Sequence, residues 1–214
     1  MLLCGTTKKN VIKIDELPAF AGYGMKIVFA THNKNKLKEV KALMPSYIEL
    51  LSLTDIGCME DIPETAKTIE GNALLKSAYV KSNYGYNCFA DDTGLEVMAL
   101  NNEPGVYSAR YAGPENNAEA NMSKLMDNLK GITNREARFK TAISLVIEDE
   151  ERLFIGICDG EITSIQKGDA GFGYDPIFQP KGFNKTFAEM SLEQKSSIGH
   201  RGKAVRLLID FLNK

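Results

Sequence analysis

The chain has 214 residues, 43% of them hydrophobic and 25% charged, with a formal net charge of -2. That length can bury one sizeable core, in a single compact domain or in two closely packed lobes. The near-neutral balance gives no bulk field for nucleic acid or an anionic membrane, so small anionic ligands suit this chain better than polymers. No apolar run approaches the roughly 18 residues of a membrane span. Cys4, Cys58, Cys88 and Cys158 form no C-x-x-C pair, which reads as the reduced thiols of a cytoplasmic protein.

Residues 1–24 are broken up by Lys8, Lys9, Lys13, Asp15 and Glu16 and have no uninterrupted apolar segment for export; they read as an extension outside the fold. The domain is expected over 25–214. Lys26 to Ala30 is rich in β-branched and aromatic residues, followed by Thr31-His32-Asn33 and a helical stripe of Leu37, Val40, Leu43 and Met44. This predicts a strand, a capping turn and a helix. A strand over Ile48–Leu51 and a helix over Thr65–Asn83 follow. Two short strands, Asn87–Ala90 and Leu95–Leu100, then flank Asp91-Asp92-Thr93-Gly94, and the Asn101-to-Gly105 segment has turn chemistry. A helix over Asn116–Leu129 leads to a hairpin of Ala137–Glu148 and Arg152–Gln166 around an acidic turn at Asp149-Glu150-Glu151. Leu192–Asn213 closes the chain as one or two helices. The order is mixed α/β with an antiparallel middle.

Two ionised carboxylates at the end of a buried strand are costly unless cations, a metal or hydrogen-bond donors meet them, which makes Asp91-Asp92 a site candidate. Side chains alternate along a strand, so the pair is expected to sit where the strand stops, at Thr93-Gly94. One aspartate would hold structure and the other face a cleft; an acidic turn in water is the alternative. Thr31, His32, Asn33, Lys34, Asn35 and Lys36 occupy a strand-to-helix turn, where free N–H groups and added donors suit phosphate, although a capped helix with solvated lysines has the same pattern. Glu64 precedes a helix bearing Asn72 and Lys76; with an aspartate it offers hard oxygens to magnesium, or it complements the helix dipole. Phe172, Gly173, Tyr174 and Asp175 put rings for stacking among flexible glycines, or form a packed turn. Lys195, His200 and Arg201 gather directed donors at the start of the last helix. With His32 and His200 the only histidines, an H-E-x-x-H zinc site is excluded, and no G-x-S-x-G elbow exists.

Thr31-x-Asn33-x-x-Lys36, Glu64-Thr65 with Asn72-Ala73-x-x-Lys76, Ala90 to Leu95, Pro104 to Arg110, Phe172 to Pro176 and His200-Arg201-Gly202-x-Ala204 stand in an order and spacing that resembles the inosine triphosphate pyrophosphatase family. The resemblance runs from about Met25 to the C-terminus. It implies a long mixed β-sheet flanked by helices, two lobes with a central nucleotide cleft, and a homodimer. It also implies hydrolysis of deaminated purine nucleoside triphosphates (ITP, dITP, XTP) to the monophosphate and pyrophosphate, which removes them from the nucleotide pool. By the same resemblance Glu64 and Asp92 would hold Mg2+ and Asp92 would be the catalytic base. Thr31 to Lys36, Lys76 and Lys195 would grip the triphosphate, Thr93 would touch substrate, and Phe172 to Asp175 with His200 and Arg201 would surround the base. Gly199 stands where the family often has Ser, and Ile69 replaces a usual aromatic.

The reaction expected from this is attack of water on the α-phosphorus with pyrophosphate leaving. Donors directed at a 6-oxo group would reject adenine, and Arg201→Ala is expected to lower turnover without thermal loss. A pyrophosphatase for modified pyrimidine nucleotides and a non-enzymatic nucleotide-binding regulator stay open as alternatives.

Overall fold

A computed structural model of the chain describes residues 24–148 and 150–214. The proposed N-terminal extension, as far as residue 23, and Asp149 of the expected acidic turn lie outside the described residues. Seven strands form one sheet, in the order β2-β1-β3-β5-β6-β7 with β4 on β3. They are β1 (Met25–Phe29), β2 (Ile48–Ser52), β3 (Cys88–Val97), β4 (Pro104–Gly105), β5 (Glu136–Ile147), β6 (Glu150–Ile162) and β7 (Phe178–Pro180). Helices α1 (Lys34–Lys41), α2 (Ile69–Tyr84), α3 (Ala118–Asn128), α4 (Leu192–Ile198) and α5 (His200–Leu212) surround it. β1 runs parallel to β2 and β3, whereas β3, β5, β6 and β7 are antiparallel neighbours. The sheet is mixed, as expected.

Alternation sorts the parallel half into two cores. Ile27, Phe29 and Phe89 face a cluster with Val40, Val205 and Leu208 from α1 and α5, while Val28, Ala30, Cys88 and Ala90 face Leu53, Cys58 and Val80. The antiparallel half has its own core, in which Leu95, Phe139, Phe178 and Phe187 pack with Leu125 and Leu129 of α3. These are the two lobes. On α2 the buried stripe is Ile69, Asn72, Ala73, Lys76, Ser77 and Val80. Helical spacing explains the stripe, but not an amide and an ammonium within it. Both point at the same partner, described below.

β3 differs from expectation. It runs unbroken for ten residues, where two short strands with a stop at Thr93-Gly94 were expected. β5 pairs with its whole length and supplies the hydrogen-bonding edge that keeps it extended. On the other edge β1 reaches only Cys88 and Phe89, and β4 begins only at Leu95 and Glu96. Among the described residues, Ala90 to Gly94 therefore have no strand on that side, and the gap between β1 and β4 opens the sheet. Because the pleat continues, Asp91 and Asp92 point to opposite faces. The second helix also starts four residues later than expected, at Ile69, with Thr68 accepting from the Gly71 N–H, which leaves Glu64 on an extended segment ahead of it.

α4 and α5 are separate, divided at Gly199. A Cβ on Gly199 would lie 2.6 Å from the Lys195 carbonyl oxygen, so a serine here would need the backbone to shift. α5 lies directly on β6 at Gly156, where an added Cβ would meet the His200 carbonyl oxygen at 2.0 Å and the Ala204 nitrogen at 2.6 Å. Both obstacles are backbone, so only movement of the helix can relieve them. Gly156→Ala is expected to lower stability by about 1 to 3 kcal/mol in urea denaturation, and to reduce ligand affinity in the cleft, because His200 and Arg201 begin the displaced helix.

Candidate active site

The cleft between the lobes has a volume of ≈ 910 Å³, suited to a small-molecule ligand. Ala30, just past β1, and Val106, just past β4, line it together with Asp92 and Thr93, so it opens at the gap along β3. At one wall is the β1–α1 turn. Asn33 caps α1 by accepting from the Asn35 and Lys36 N–H groups, and Thr31 Oγ1 accepts from the Asn33 N–H at 3.1 Å. His32 Nε2 lies 3.0 Å from the Glu60 carbonyl oxygen, tying this turn to the segment that carries Glu64. The Glu60 carboxylate in turn accepts the hydroxyls of Tyr79 and Tyr84 on α2, each at 2.8 Å.

Asp91 is fully buried and faces α1 and α5. Lys36 Nζ donates to its Oδ1 and Arg201 Nε to its Oδ2, both at 3.0 Å. Burial favours its neutral form, but Lys36 and Arg201 outweigh burial and hold the carboxyl well below the ordinary aspartate range. Arg201 also pairs with Glu39 and donates to Thr93 Oγ1 at 3.1 Å. Lys195 completes the chain of charges, at 2.7 Å from Glu39 and 2.6 Å from Asp175. Positive and negative groups alternate from Lys36 through Asp91, Arg201, Glu39 and Lys195 to Asp175. Such a network is satisfied only as a whole.

Asp92 faces α2. Its Oδ2 accepts from Asn72 Nδ2 at 3.2 Å and its Oδ1 from the Thr93 N–H at 2.9 Å. Lys76 Nζ stands 2.6 Å from Glu64 Oε1 and 3.8 Å from Asp92 Oδ1, so both carboxylates converge on one ammonium. Burial raises the pKa of Asp92 above the usual value, and Glu64 adds to it, against the pull of Lys76 and Lys36. Burial also pushes Glu64 up, but Lys76, Lys36 and Arg110 together hold it lower than normal. One aspartate is thus locked as an anion by permanent partners, while the other keeps a raised proton affinity beside the cleft.

Further along the cleft, Phe172 lies under two cations, with Lys195 Nζ at 4.7 Å and Arg201 Cζ at 5.7 Å from the ring centre. Asp175 Oδ2 accepts the Phe172 N–H at 2.8 Å and folds the glycine-rich turn back on itself. His200 stacks on Phe139 with centroids 4.5 Å apart, and its Nδ1 is buried without a hydrogen-bond partner among the described residues. Burial, then Arg201 and Lys195, lower its pKa well below the ordinary value, so the ring is neutral.

The candidate site residues all line this cleft except Lys34, which is exposed at the start of α1, and Asp91, which is buried behind it. Lys195 belongs to the group around Phe172 and is occupied by Glu39 and Asp175, apart from the pair Lys36 and Lys76 beside the aspartates. Tyr174 is mostly core, its hydroxyl donating to the Ser108 carbonyl at 2.9 Å. Arg201 is buried on both Asp91 and Glu39, so it cannot be removed without cost to the fold. This overturns the expectation of no thermal loss. Sequence reasoning passed over Glu39, and it quoted Arg110 within the Pro104-to-Arg110 motif without giving it a role. A glutamate beside the apolar stripe of α1 is the signal that could have found the first; the motif was the signal for the second.

Among the described residues no three His, Cys, Asp or Glu side chains cluster to hold a metal. Glu64 and Asp92 are two hard-oxygen donors already gathered around a cation. That suits magnesium, which keeps several waters and takes its remaining ligands from phosphates.

Fold and cleft together define an α/β protein with a pocket for an anionic, ring-bearing small molecule. The Ham1 family profile matches residues 27–211, and the chain belongs to that family. It is 61% identical over 188 residues to a dITP/XTP pyrophosphatase of Flavobacterium johnsoniae, a match covering 88% of this chain and 98% of the relative. Among solved structures, the Ham1 protein of Staphylococcus aureus is similar at a TM-score of 0.80 and 42% identity, covering 87% of this chain and 97% of that one. A Ham1 protein from Coxiella burnetii is similar at a TM-score of 0.82 and 34% identity, covering 88% and 98%. No helix among the described residues is long and apolar enough to cross a membrane.

Different partners imply different consequences of substitution. Asp91→Asn leaves Lys36 buried without its paired carboxylate and Arg201 with Glu39 alone, and is expected to cost about 3 to 5 kcal/mol in chemical denaturation. Asp92→Asn has one acceptor oxygen for the two donors Asn72 Nδ2 and the Thr93 N–H, so one contact is lost; with Lys76 at 3.8 Å as its nearest cation, it is expected to cost less than Asp91→Asn in the same measurement.

Proposed function

We propose that this chain hydrolyses deaminated purine nucleoside triphosphates (dITP, XTP and ITP) to the monophosphate and pyrophosphate, with magnesium as cofactor, and so clears them from the nucleotide pool. One observation carries the reading: Glu64, Lys76 and Asp92 converge at one part of a cleft whose other part is lined by Phe172, His200 and Arg201. The name of the Flavobacterium relative supports the substrate class. The resemblance extends the reading to a cytoplasmic homodimer.

Asp92 is the base. Its two oxygens are fixed by Asn72 and Thr93, and burial raises its proton affinity above that of an ordinary aspartate, which favours taking a proton from water. The water oxygen bonds to the α-phosphorus as the bond from that phosphorus to the bridging oxygen breaks; pyrophosphate leaves with the electron pair, and the water proton passes to Asp92. Glu64 and Asp92 would hold magnesium, which when bound neutralises phosphate charge. Lys36, Lys76, Thr31, Asn33 and Asn35 supply the donors for the triphosphate, and His32 fixes their turn to the Glu64 segment.

Selectivity is demanding because ordinary purine triphosphates share most of the ligand. Burial, then Arg201 and Lys195, lower the pKa of His200, so its neutral ring can offer one N–H to the 6-oxo oxygen, and Arg201 keeps N–H groups beyond those given to Asp91, Glu39 and Thr93. The ring of Phe172 offers a face to the base. Each unmet buried hydrogen bond costs about 1 to 3 kcal/mol, so two of them reject adenine by on the order of 100-fold or more.

Pyrophosphate release from dITP, XTP, ITP, ATP, GTP and dUTP tests the reading. Release is expected from the first three with magnesium and is lost with EDTA. Preference for dUTP would transfer the enzyme to pyrimidines, and no release from any nucleotide would leave a binding protein. Asp92→Asn, folded, is expected to cut turnover by about 100- to 10,000-fold; near-parental turnover would remove Asp92 from the mechanism.

A further inference from the structure

Four of the cations that line the cleft are hydrogen-bonded to carboxylates. Lys36 is bound to Asp91, Lys76 to Glu64, Lys195 to Asp175 and Glu39, and Arg201 to Asp91, Glu39 and Thr93. Arg110 is different. It lines the same cleft from the antiparallel lobe, at the end of the single turn Ser108–Arg110 that follows β4. Among the described residues its guanidinium donates no hydrogen bond; its one charged neighbour is Glu64, with Nη1 3.6 Å from Oε2, an ion pair without hydrogen-bond contact. The side chain is 35% exposed and lies over the Tyr107 ring at 5.4 Å.

The backbone beneath it is held from several directions. Ser108 Oγ donates to the Gly105 carbonyl at 2.6 Å and accepts from the Leu95 N–H at 2.9 Å. The Ser108 carbonyl accepts the Tyr174 hydroxyl at 2.9 Å, and the Ala109 carbonyl accepts from Asn121 Nδ2 at 2.8 Å. A rigid base, a ring that supports the guanidinium and unspent donors directed at a cleft form a pre-organised anion receptor. Its position along the cleft is also ordered. Lys76 stands between Asp92 and Glu64, and Arg110 stands on the other oxygen of Glu64, one carboxylate further from Asp92.

We infer that Arg110 binds the leaving-group end of the triphosphate, donating its planar fork to the phosphate oxygens of the departing pyrophosphate from the lobe opposite Lys36. The inference rests on the pyrophosphatase reading, in which Asp92 marks the phosphorus attacked. A cation held by Glu64 would weaken the hold of that carboxylate on Arg110, leaving the guanidinium for phosphate. Arginine meets phosphate with paired N–H donors, which lysine cannot reproduce.

Steady-state kinetics with dITP, and inhibition by pyrophosphate and by dIMP, in Arg110→Ala and Arg110→Lys test this. Loss of a charge-assisted hydrogen bond corresponds to about tenfold or more. In Arg110→Ala both KM and the pyrophosphate inhibition constant are expected to rise by about that factor, with dIMP inhibition unchanged. Arg110→Lys should fall between. A variant that melts with the parent and keeps pyrophosphate inhibition within about twofold of it overturns the inference, as does a fall in kcat alone, which would mean that Arg110 only positions Glu64. If Arg110→Ala proves unstable, Arg110→Lys with parental melting carries the same comparison. Parent enzyme that releases no pyrophosphate from dITP defeats the pyrophosphatase reading itself; parent activity with unmoved pyrophosphate inhibition in the variants defeats only the role of Arg110.

Discussion

Adjacent carboxylates in a continuous strand point to opposite faces, and the centre of this molecule is organised around that constraint. Asp91 needs cations on the α1 and α5 side, and Asp92 needs donors on the α2 side. A buried carboxylate without them would be protonated or would destabilise the fold. Lys36 comes from the first turn of α1, Arg201 from the first turn of α5, and Lys76 from the middle of α2, so three elements distant in sequence are fixed relative to β3 by charge. The gap between β1 and β4 then exposes Asp92 and Thr93 to a cleft while Asp91 stays inside.

This arrangement separates structural electrostatics from chemical electrostatics within two residues. The chain from Lys36 to Asp175 is alternating and buried, so each member is held by neighbours of opposite sign. A chain of that kind contributes fixed geometry more than net stability, because desolvation offsets much of the attraction. Its fixed geometry is what places the ring of Phe172 and the Nδ1 of His200. On the opposite face, Glu64 and Asp92 converge on the Lys76 ammonium, a setting that suits a second cation. The lobes contribute unequally: the parallel half brings the amines and carboxylates, the antiparallel half brings Phe172, Phe139 and Arg110.

Much of the fold could be read from residue patterns, since β1, β2, α1, α3 and the long hairpin follow from β-branched runs, stripes and turn residues. The two roles for Asp91 and Asp92 were also legible, because alternation alone demands that one be inward. The continuity of β3 was not. Asp, Thr and Gly favour turns locally, and only the full-length pairing with β5, made across about fifty intervening residues, holds them extended. For the same reason the buried pairing of Arg201 with Glu39 escaped notice, as their partnership spans most of the chain. Local patterns identify which groups carry charge; long-range topology decides which of those charges neutralise each other and which remain for a ligand.

A crystal structure with magnesium and a non-hydrolysable dITP analogue tests the central claim most directly. The account predicts the ion on Glu64 and Asp92, Lys76 moved onto phosphate oxygens, and Asp91 still paired with Lys36 or Arg201. An ion coordinated by Asp91, or held away from Asp92, would contradict it.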